Sequence, residues 1–532
     1  MLLDHTGLPI QAANFKAESS HARQTACWKP ERISSDEEIK GKAVIDGRAH
    51  DLVRNNGYAA GALQQEKDNV IGAQYRLSLR PDNYILNLDQ EELRKWTKLV
   101  EAMFTLYAES PDCWIDAQRK MTFSQLLRVS VGYDFTDGEF MMTREWRPDV
   151  RSQFSTCFHV LAPERVSNPL QLRPRLEDIR RSQKKLHEGV EVDRYGAALA
   201  YHLRLRHPSE HIALIRQGRK THRRIPKFDK FGFQQFFHIF ETTKAGQRRG
   251  ISRFAPIIQK LKMLDTYEDV ELEQNILAAT FGMYVQSEFG ANSIFEALAG
   301  DKEIDNPLTH LIGEKTKWAA TTDLHVDGAK VPHLFPGESI ETVSSDHPNK
   351  NFEGFEDAML RQVAKASNKS LEQITGDYRK TNRSSARISM AESWKYVTSK
   401  RPATANRTAS HIFRTWLDEA VFNQHVPMPK GVRLDDYLKV REALTRCTWM
   451  GTGKGQEDEF AKAKADDLNL KNNATTLRDI HAEKGNDWED QMEQRELEAK
   501  ALIEASERLG IEMTDEQKLQ LLGIKPAKAT TK

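Results

Sequence analysis

Two long helical patterns separated by a long insertion constrain this chain more than any other feature of its sequence. Apolar residues recur at intervals of three and four over residues 256–287, which predicts one helix. Residues 352–376 form the second pattern, in which Ser370 and Gln373 make a capping box that restarts the helix. At about 1.5 Å per residue, the first pattern alone spans roughly 45 Å. The pair therefore predicts an elongated element around the insertion at residues 288–350.

The residues before the first long helix predict a mixed helix-and-sheet unit over residues 51–245. Helical spacing dominates residues 51–107. Short apolar runs between turn residues then predict the strands of a mixed or antiparallel sheet, at residues 138–146, 154–163, 197–205 and 237–241. The polar, weakly periodic residues 1–50 predict a mobile N-terminal arm. The fold class predicted from the residues is therefore α+β.

After the second long pattern, the segment GDYRKTNRSS (376–385) predicts a short basic loop, and another long helical run follows it. Pro402 lies inside that run and predicts a kink or a break, because proline lacks a backbone N–H and its ring clashes with the preceding turn. Residues 456–515 are acidic and helix-forming.

Charge is segregated along the chain, although the net charge is only +1. Residues 216–253 carry eleven Lys/Arg against two acids, residues 361–414 carry twelve against three, and residues 456–532 are net −6. Basic stretches of this kind suit sequence-independent contact with phosphates. The residues favoured for this contact are Arg379, Lys380, Arg383 and Arg387. The alternative is a solvated basic loop without a partner.

Motifs that resemble catalytic or metal sites fail on spacing. GTGKG (451–455) lacks the glycine and the hydroxyl residue that a phosphate-binding loop needs, so we interpret it as a turn. His325, Asp327 and His333 fit no metal-ligand spacing and suit a solvated loop. Cys157 and His159 alternate on a predicted strand and suit a buried cysteine beside a core histidine. We therefore predict no catalytic residue, no metal and no cofactor.

Composition excludes two further classes of protein. The longest uncharged stretch has 14 residues, fewer than a membrane span of about 18 requires. The four cysteines form no CxxC pair, which argues against a disulfide framework or a zinc ribbon and favours a reducing compartment.

Several blocks of the chain resemble, in order, the portal proteins of lambda-like tailed bacteriophages. They include DLVRNNGYAAGA (51–62), VIGAQYRLSLRP (70–81), APERVSNP (162–169), RRGIS (248–252), KMLDTYEDVELEQNILAA (262–279), GAKVPHLFPGES (328–339), YRKTNRSSARISMAESW (378–394) and CTWMGTGKG (447–455). The resemblance runs from about residue 51 to 455 and continues weakly to about 510. Residues 1–50 match poorly.

The resemblance implies a ring, typically of twelve subunits, at one capsid vertex. Double-stranded DNA would pass through it, driven by the large terminase subunit. Capsid, scaffolding and head–tail neck proteins would be further partners. The implied location is the virion, after assembly in the host cytoplasm. No membrane is implied.

The same resemblance divides the subunit into an α/β wing, a helical stem, a small α/β clip and a helical crown. The implied bounds are wing 51–245, first stem helix 246–287, clip 288–350, second stem helix 351–376, tunnel loop 377–387, long helix and return to the wing 388–455, and crown and tail 456–532.

The acidic middle of the first stem helix suggests a repulsive channel wall that keeps DNA from sticking. Its acids are Asp265, Glu268, Asp269, Glu271 and Glu273. Two other functions remain open on the residues alone. A nuclease or integrase would grip DNA with the basic stretches but would need clustered acids for metals, and none stands out. A scaffold or adaptor would bind proteins only.

Overall fold

The computed structural model describes most of the chain, in two compact units. The described residues are 34, 41–169, 186–205, 221–280, 284–287, 317, 324–326, 329–331, 338–341, 352–379, 381–453, 459–508, 514 and 517–518. The first unit comprises residues 1–256, 367–369 and 377–532, and the second comprises residues 257–366 and 370–376. None of the helices in the described part combines the length and apolar character that a membrane span requires.

The first unit is mainly helical. Its helices are α1 (Lys42–Asn55), α2 (Gly57–Val70), α3 (Asn83–Leu86), α4 (Gln90–Ala108), α5 (Phe123–Thr136), α9 (Arg383–Ala403), α10 (Ala405–Phe422), α11 (Tyr437–Leu444), α12 (Glu459–Lys471), α13 (Leu477–Glu483) and α14 (Trp488–Arg508). Helix α4 buries Leu93, Trp96 and Phe104 along one face, which confirms the helical periodicity.

Antiparallel sheets complete the first unit. Its strands are β1 (Arg76–Leu79), β2 (Glu139–Trp146), β3 (Thr156–Leu161), β4 (Leu186–His187), β5 (Val190–Val192), β6 (Ala198–Arg204), β7 (His222–Pro226), β8 (Phe236–Phe240) and β13 (Cys447–Met450). They form three sheets, in the orders β3-β2-β8, β4-β5-β6-β7 and β1-β13. Strands β2, β3, β6 and β8 confirm the predicted ones. The pairing of β1 with β13 joins residues 76–79 to 447–450 and was not predicted.

The core of this unit is aromatic. Phe104 lies edge-on to Phe123, Phe413 and Trp416, with ring centroids 5.2–5.4 Å apart. Such arrangements add to the stabilisation from burial alone. Trp449, from the late strand β13, packs on Phe123 at 5.4 Å. The core therefore unites α4, α5 and α10 with the returning chain.

Two predictions on the helices have clear outcomes. The predicted arm is wrong for its last residues, because α1 begins at Lys42 and buries Lys42, Asp46, Ala49 and Leu52. The predicted break near Pro402 is confirmed, since α9 ends at Ala403 and α10 begins at Ala405. Between them, Thr404 has φ −123° and ψ −66°, outside the helical region.

The RRGIS segment (248–252) is explained by a buried ionic contact. The Arg249 guanidinium donates to Glu139 Oε1 at 2.6 Å and to the carbonyls of Val166 and Glu188 at 2.9 and 2.7 Å. Burial alone would raise the pKa of Glu139, but Arg249 and Lys42 hold it well below its usual range. This contact fixes the start of β2 against three other chain segments.

Gly250 and Gly138 belong to the same contact because their backbones nearly touch. A Cβ atom on Gly250 would lie 2.0 Å from the carbonyl oxygen of Gly138. Gly138 has a φ of +76°, and its own Cβ would lie 2.1 Å from the carbonyl oxygen of Ile251. Only glycine fits both positions.

We therefore expect Gly250→Ala to lower the free energy of unfolding by about 3 kcal/mol or more, because backbone must move to relieve the clash. Gly47→Ala, on α1, is the control, since nothing lies within 4 Å of its Cβ position. Chemical denaturation of the two variants measures the difference. Equal stability would contradict this account of the segment.

Helix α14 begins beside strand β1. Asp487, just before α14, accepts a hydrogen bond from the Ser78 hydroxyl at 2.8 Å. The neighbouring Glu101 on α4 accepts one from the Leu79 amide at 2.6 Å. Burial and the nearby Asp487 and Asp490 raise the pKa of Glu101 to about 7, although the hydrogen bond from Leu79 acts in the opposite direction.

Glu101→Gln keeps the acceptor but removes the titrating group. The pKa of Glu101 is about 7 in the folded protein, above its ordinary value of 4.5. The protonated carboxyl therefore adds to the free energy of unfolding, fully so below pH 4.5, and this contribution is lost as the pH rises through 7. We expect the variant to equal the original protein near pH 4 and to exceed its stability above pH 7, by on the order of 2 kcal/mol. Denaturant unfolding across this range tests it, and a pH-independent difference would contradict it.

The second unit contains the two long helical patterns and the strands between them. Its elements are α6 (Ile258–Thr280), β9 (Tyr284–Ser287), β10 (Leu324–Val326), β11 (Ala329–Val331), β12 (Glu338–Glu341), α7 (Phe352–Ala366) and α8 (Leu371–Thr375). Tyr267 on α6 stacks on Phe352 of α7 at 5.5 Å and meets Phe355 edge-on at 5.0 Å. Strand β9 pairs with β12, and β10 with β11, both antiparallel.

The first long helix is shorter than predicted. It ends at Thr280, and residues 284–287, which were expected to be its last turn, form strand β9 instead. Tyr284 and Val285 favour a strand, and the pairing with β12 completes their backbone hydrogen bonds. The capping box is confirmed, because the Ser370 hydroxyl accepts from the Gln373 amide at 3.2 Å and begins α8.

Candidate nucleic-acid interface

The predicted basic loop is shorter than expected, because α9 begins inside it. Asn382 caps the helix, its side-chain oxygen accepting a hydrogen bond from the Ser385 amide at 2.8 Å. Arg383 and Arg387 therefore lie on the first turns of α9 and not in a loop. Four residues apart on a helix, they share one face, and both are exposed.

Arg379 lies in the loop that remains and is held by a neighbour. Its guanidinium contacts both carboxylate oxygens of Asp377, with Nη2 2.8 Å from Oδ2 and Nε 3.0 Å from Oδ1. The Arg379 side chain is 85% exposed, so its outer edge still faces solvent. The sequence prediction overlooked Asp377, which partly offsets this charge. Lys380 lies outside the described residues.

The start of α9 is strongly positive. Its first turn contains no acid, and Arg383 and Arg387 add charge where the helix dipole is already positive. This placement is unfavourable for an isolated helix and favourable for one that meets an anion.

The first part of α9 is only lightly buried within the described part of the chain. Residues 383–395 are exposed or half-buried, and the buried residues of α9 are Val397 and Lys400. Ile388 is 62% exposed and Met390 37%. The start of α9 therefore presents exposed arginines with exposed apolar side chains beside them.

The five predicted acids of α6 do not form one exposed face. Glu271 is buried, and Asp265 is half-buried and lies 2.9 Å from Lys262. Glu268 is half-buried too, and burial together with Glu356 raises its pKa. Asp269 and Glu273 are exposed and share a helix face. The basic groups belong to the first unit and the acidic groups to the second.

The described residues after β13, residues 451–453, form irregular backbone packed against other segments of the first unit. The Thr452 amide donates to the carbonyl of Ile71 at 3.3 Å, and Arg401 donates to the carbonyl of Thr452 at 2.6 Å. A Cβ on Gly453 would lie 2.5 Å from the carbonyl of Glu483. The glycines therefore allow close backbone packing.

Candidate metal ligands are not brought together where the structure describes them. No group of three His, Cys, Asp or Glu residues suited to a metal occurs among the described residues. His325 lies on β10, whereas Asp327 and His333 fall outside the described residues. Cys157 is buried on β3, as predicted, whereas His159 is only half-buried and is not a core histidine.

Known proteins similar to this chain agree with the resemblance. The family model of the phage portal proteins, lambda family, matches residues 21–401. The portal protein of Escherichia phage N15 is 31% identical over 466 residues, covering 87% of this chain and 85% of the relative. Portal protein B of Escherichia phage lambda is 31% identical over 488 residues, covering 91% and 89%.

Among solved structures, a chain from the neck of an empty GTA particle computed with C6 symmetry aligns with 92% of this chain and 100% of its own length. Its sequence identity is 12% and the TM-score is 0.44.

The sequence matches define a structural protein of the phage particle. The chain belongs to the lambda family of phage portal proteins. It is thus part of the head–tail connector at the capsid vertex, with the family's role in genome packaging and ejection. The alternative function as a nuclease or integrase has no support.

The family model begins at residue 21, thirty residues before the first sequence block that resembles the family.

Proposed function

We propose that twelve copies of this chain form a ring and that the first turns of α9 contact DNA in its channel. The observation that carries the proposal is the basic start of α9, where Arg383 and Arg387 lie on one exposed face. Arginines on an exposed face contact phosphates without reading sequence, as a passing duplex requires. Arg379 and Lys380 would extend the contact toward residue 377.

The remaining partners follow from the resemblance. The clip (288–350) would face the large terminase subunit during packaging and the neck proteins afterwards, and major capsid and scaffolding proteins would be further partners of the ring. Assembly would take place in the host cytoplasm. The chain would work as a structural ring without catalysing a reaction of its own. Negative-stain images of the purified protein test the ring directly, and material of one or two chains would contradict it.

We expect Arg383→Ala combined with Arg387→Ala to lower the yield of DNA-filled particles several-fold, because each ring loses two phosphate contacts per subunit. The control is Lys395→Ala with Lys464→Ala, which removes the same charge from two other exposed positions. Complementation of a portal-deficient phage, with rings counted by microscopy, measures both. Equal yields from the two double variants would contradict the channel contact.

We propose that only two of the five acids, Asp269 and Glu273, form the repulsive channel wall, because these two are exposed. Replacing both by lysine should slow packaging, because an attractive wall acts as a brake on DNA. Asp269→Asn with Glu273→Gln should have a smaller effect in the same direction. Packaging rate and DNA retention measure the series, and unchanged values for the lysine variant would rule the wall out.

A further inference from the structure

A buried carboxylate holds α9 at the end opposite its basic start. Glu66 on α2 is 1% exposed. Its Oε1 accepts a hydrogen bond from the Tyr396 hydroxyl at 2.7 Å, and its Oε2 accepts one from Lys369 Nζ at 3.0 Å. Glu66 therefore joins α9 to the short segment between α7 and α8.

Two more acids extend this contact along α9. Lys400 Nζ lies 2.7 Å from Asp134 Oδ2 and 2.9 Å from Glu241 Oε2. Arg253 donates to the Tyr396 oxygen at 2.6 Å and lies 3.2 Å from Glu241. Three acids thus face three cations around one tyrosine. We call this set the α9 anchor: Glu66, Asp134, Glu241, Arg253, Lys369, Tyr396 and Lys400.

The α9 anchor does more to fix the position of α9 than to stabilise the fold. Buried ion pairs cost desolvation, and apolar side chains of the same volume often stabilise a fold as well or better. What a satisfied polar network adds is one fixed geometry. Tyr396 suits this role because burial and Glu66 raise its pKa, which keeps its hydroxyl protonated as a donor.

The anchor lies far along α9 from the two arginines. Tyr396 follows Arg387 by nine residues, or about 14 Å along a helix axis. No residue from 383 to 395 is buried, so among the described residues the anchor is where α9 becomes embedded in the first unit. The chain segments that flank the second unit also reach the anchor, through Arg253 before α6 and Lys369 after α7.

We propose that Glu66 is a positioning residue for DNA contact, acting through Tyr396 to set how α9 presents Arg383 and Arg387. Through Lys369 it ties the same point to the segment between α7 and α8. The proposal rests on the proposed function, in which these two arginines meet DNA.

Tyr396→Phe is the sharpest test, because it removes one hydroxyl and keeps the ring beneath the Arg253 guanidinium, 5.3 Å away. We expect rings to assemble with a melting temperature within a few degrees of the original. Amides of residues 383–395 should exchange at least several-fold faster, whereas those of α10 stay unchanged. The yield of DNA-filled particles should fall several-fold. Tyr133→Phe, which removes a hydroxyl on α5 in the same unit, should change none of these.

A second comparison asks whether the effect passes through the arginines. Adding Tyr396→Phe to the Arg383→Ala, Arg387→Ala variant should cause no further loss of filled particles. If Tyr396→Phe lowers the yield of filled particles by the same factor with and without the two arginines, the positioning role is overturned. Unchanged amide exchange of residues 383–395 in Tyr396→Phe would overturn it too.

The fold-preserving variant is Glu66→Gln with Lys369→Met, which removes both charges while keeping an acceptor for Tyr396. It should retain the slow exchange of residues 383–395, whereas Glu66→Leu with Lys369→Met should lose it. Equal exchange in these two variants would overturn the proposal. If Arg383→Ala with Arg387→Ala leaves particle yield unchanged, the proposed DNA contact itself fails. If that variant lowers the yield and Tyr396→Phe does not, the positioning role alone fails.

Discussion

The buried pair of Glu139 and Arg249 is the contact on which the first unit depends. Glu139 is fully buried at the start of β2, the strand that pairs with both β3 and β8. An isolated carboxylate there would be very costly, so the fold must place a positive charge and hydrogen-bond donors beside it. The Arg249 guanidinium provides both, and it also donates to the carbonyls of Pro163, Val166 and Glu188. The sheet and the segment leading to the second unit are therefore fixed together.

Charged side chains in this chain have two kinds of environment. Around Glu66, buried acids and bases are matched, because an unpaired buried charge is costly. At the start of α9, the cations Arg383 and Arg387 stand on an exposed face with no acid in the first turn. In the proposed function, this exposed face is the one that meets the phosphates of DNA. In our proposals, one end of α9 is held in place by the anchor and the other end contacts DNA.

Features set by neighbouring residues were readable in the sequence. Ser370 with Gln373, and the break near Pro402, depend on atoms within one helical turn, and both were predicted. The apolar face of α4 followed from its spacing. The pairing of β1 with β13 joins segments some 370 residues apart, and the strand at residues 284–287 exists through its partner β12. Neither partner can be deduced from local pattern.

The sequence by itself determined the family, the α+β class and the positions of the basic and acidic residues, because these are properties of residue type and order. Only the tertiary structure decided which of those charges face solvent. Glu271 turns inward while Asp269 and Glu273 do not, Arg379 meets Asp377, and Arg383 belongs to a helix. The physical reason is that exposure depends on which elements pack together, and packing joins residues that are distant in the chain.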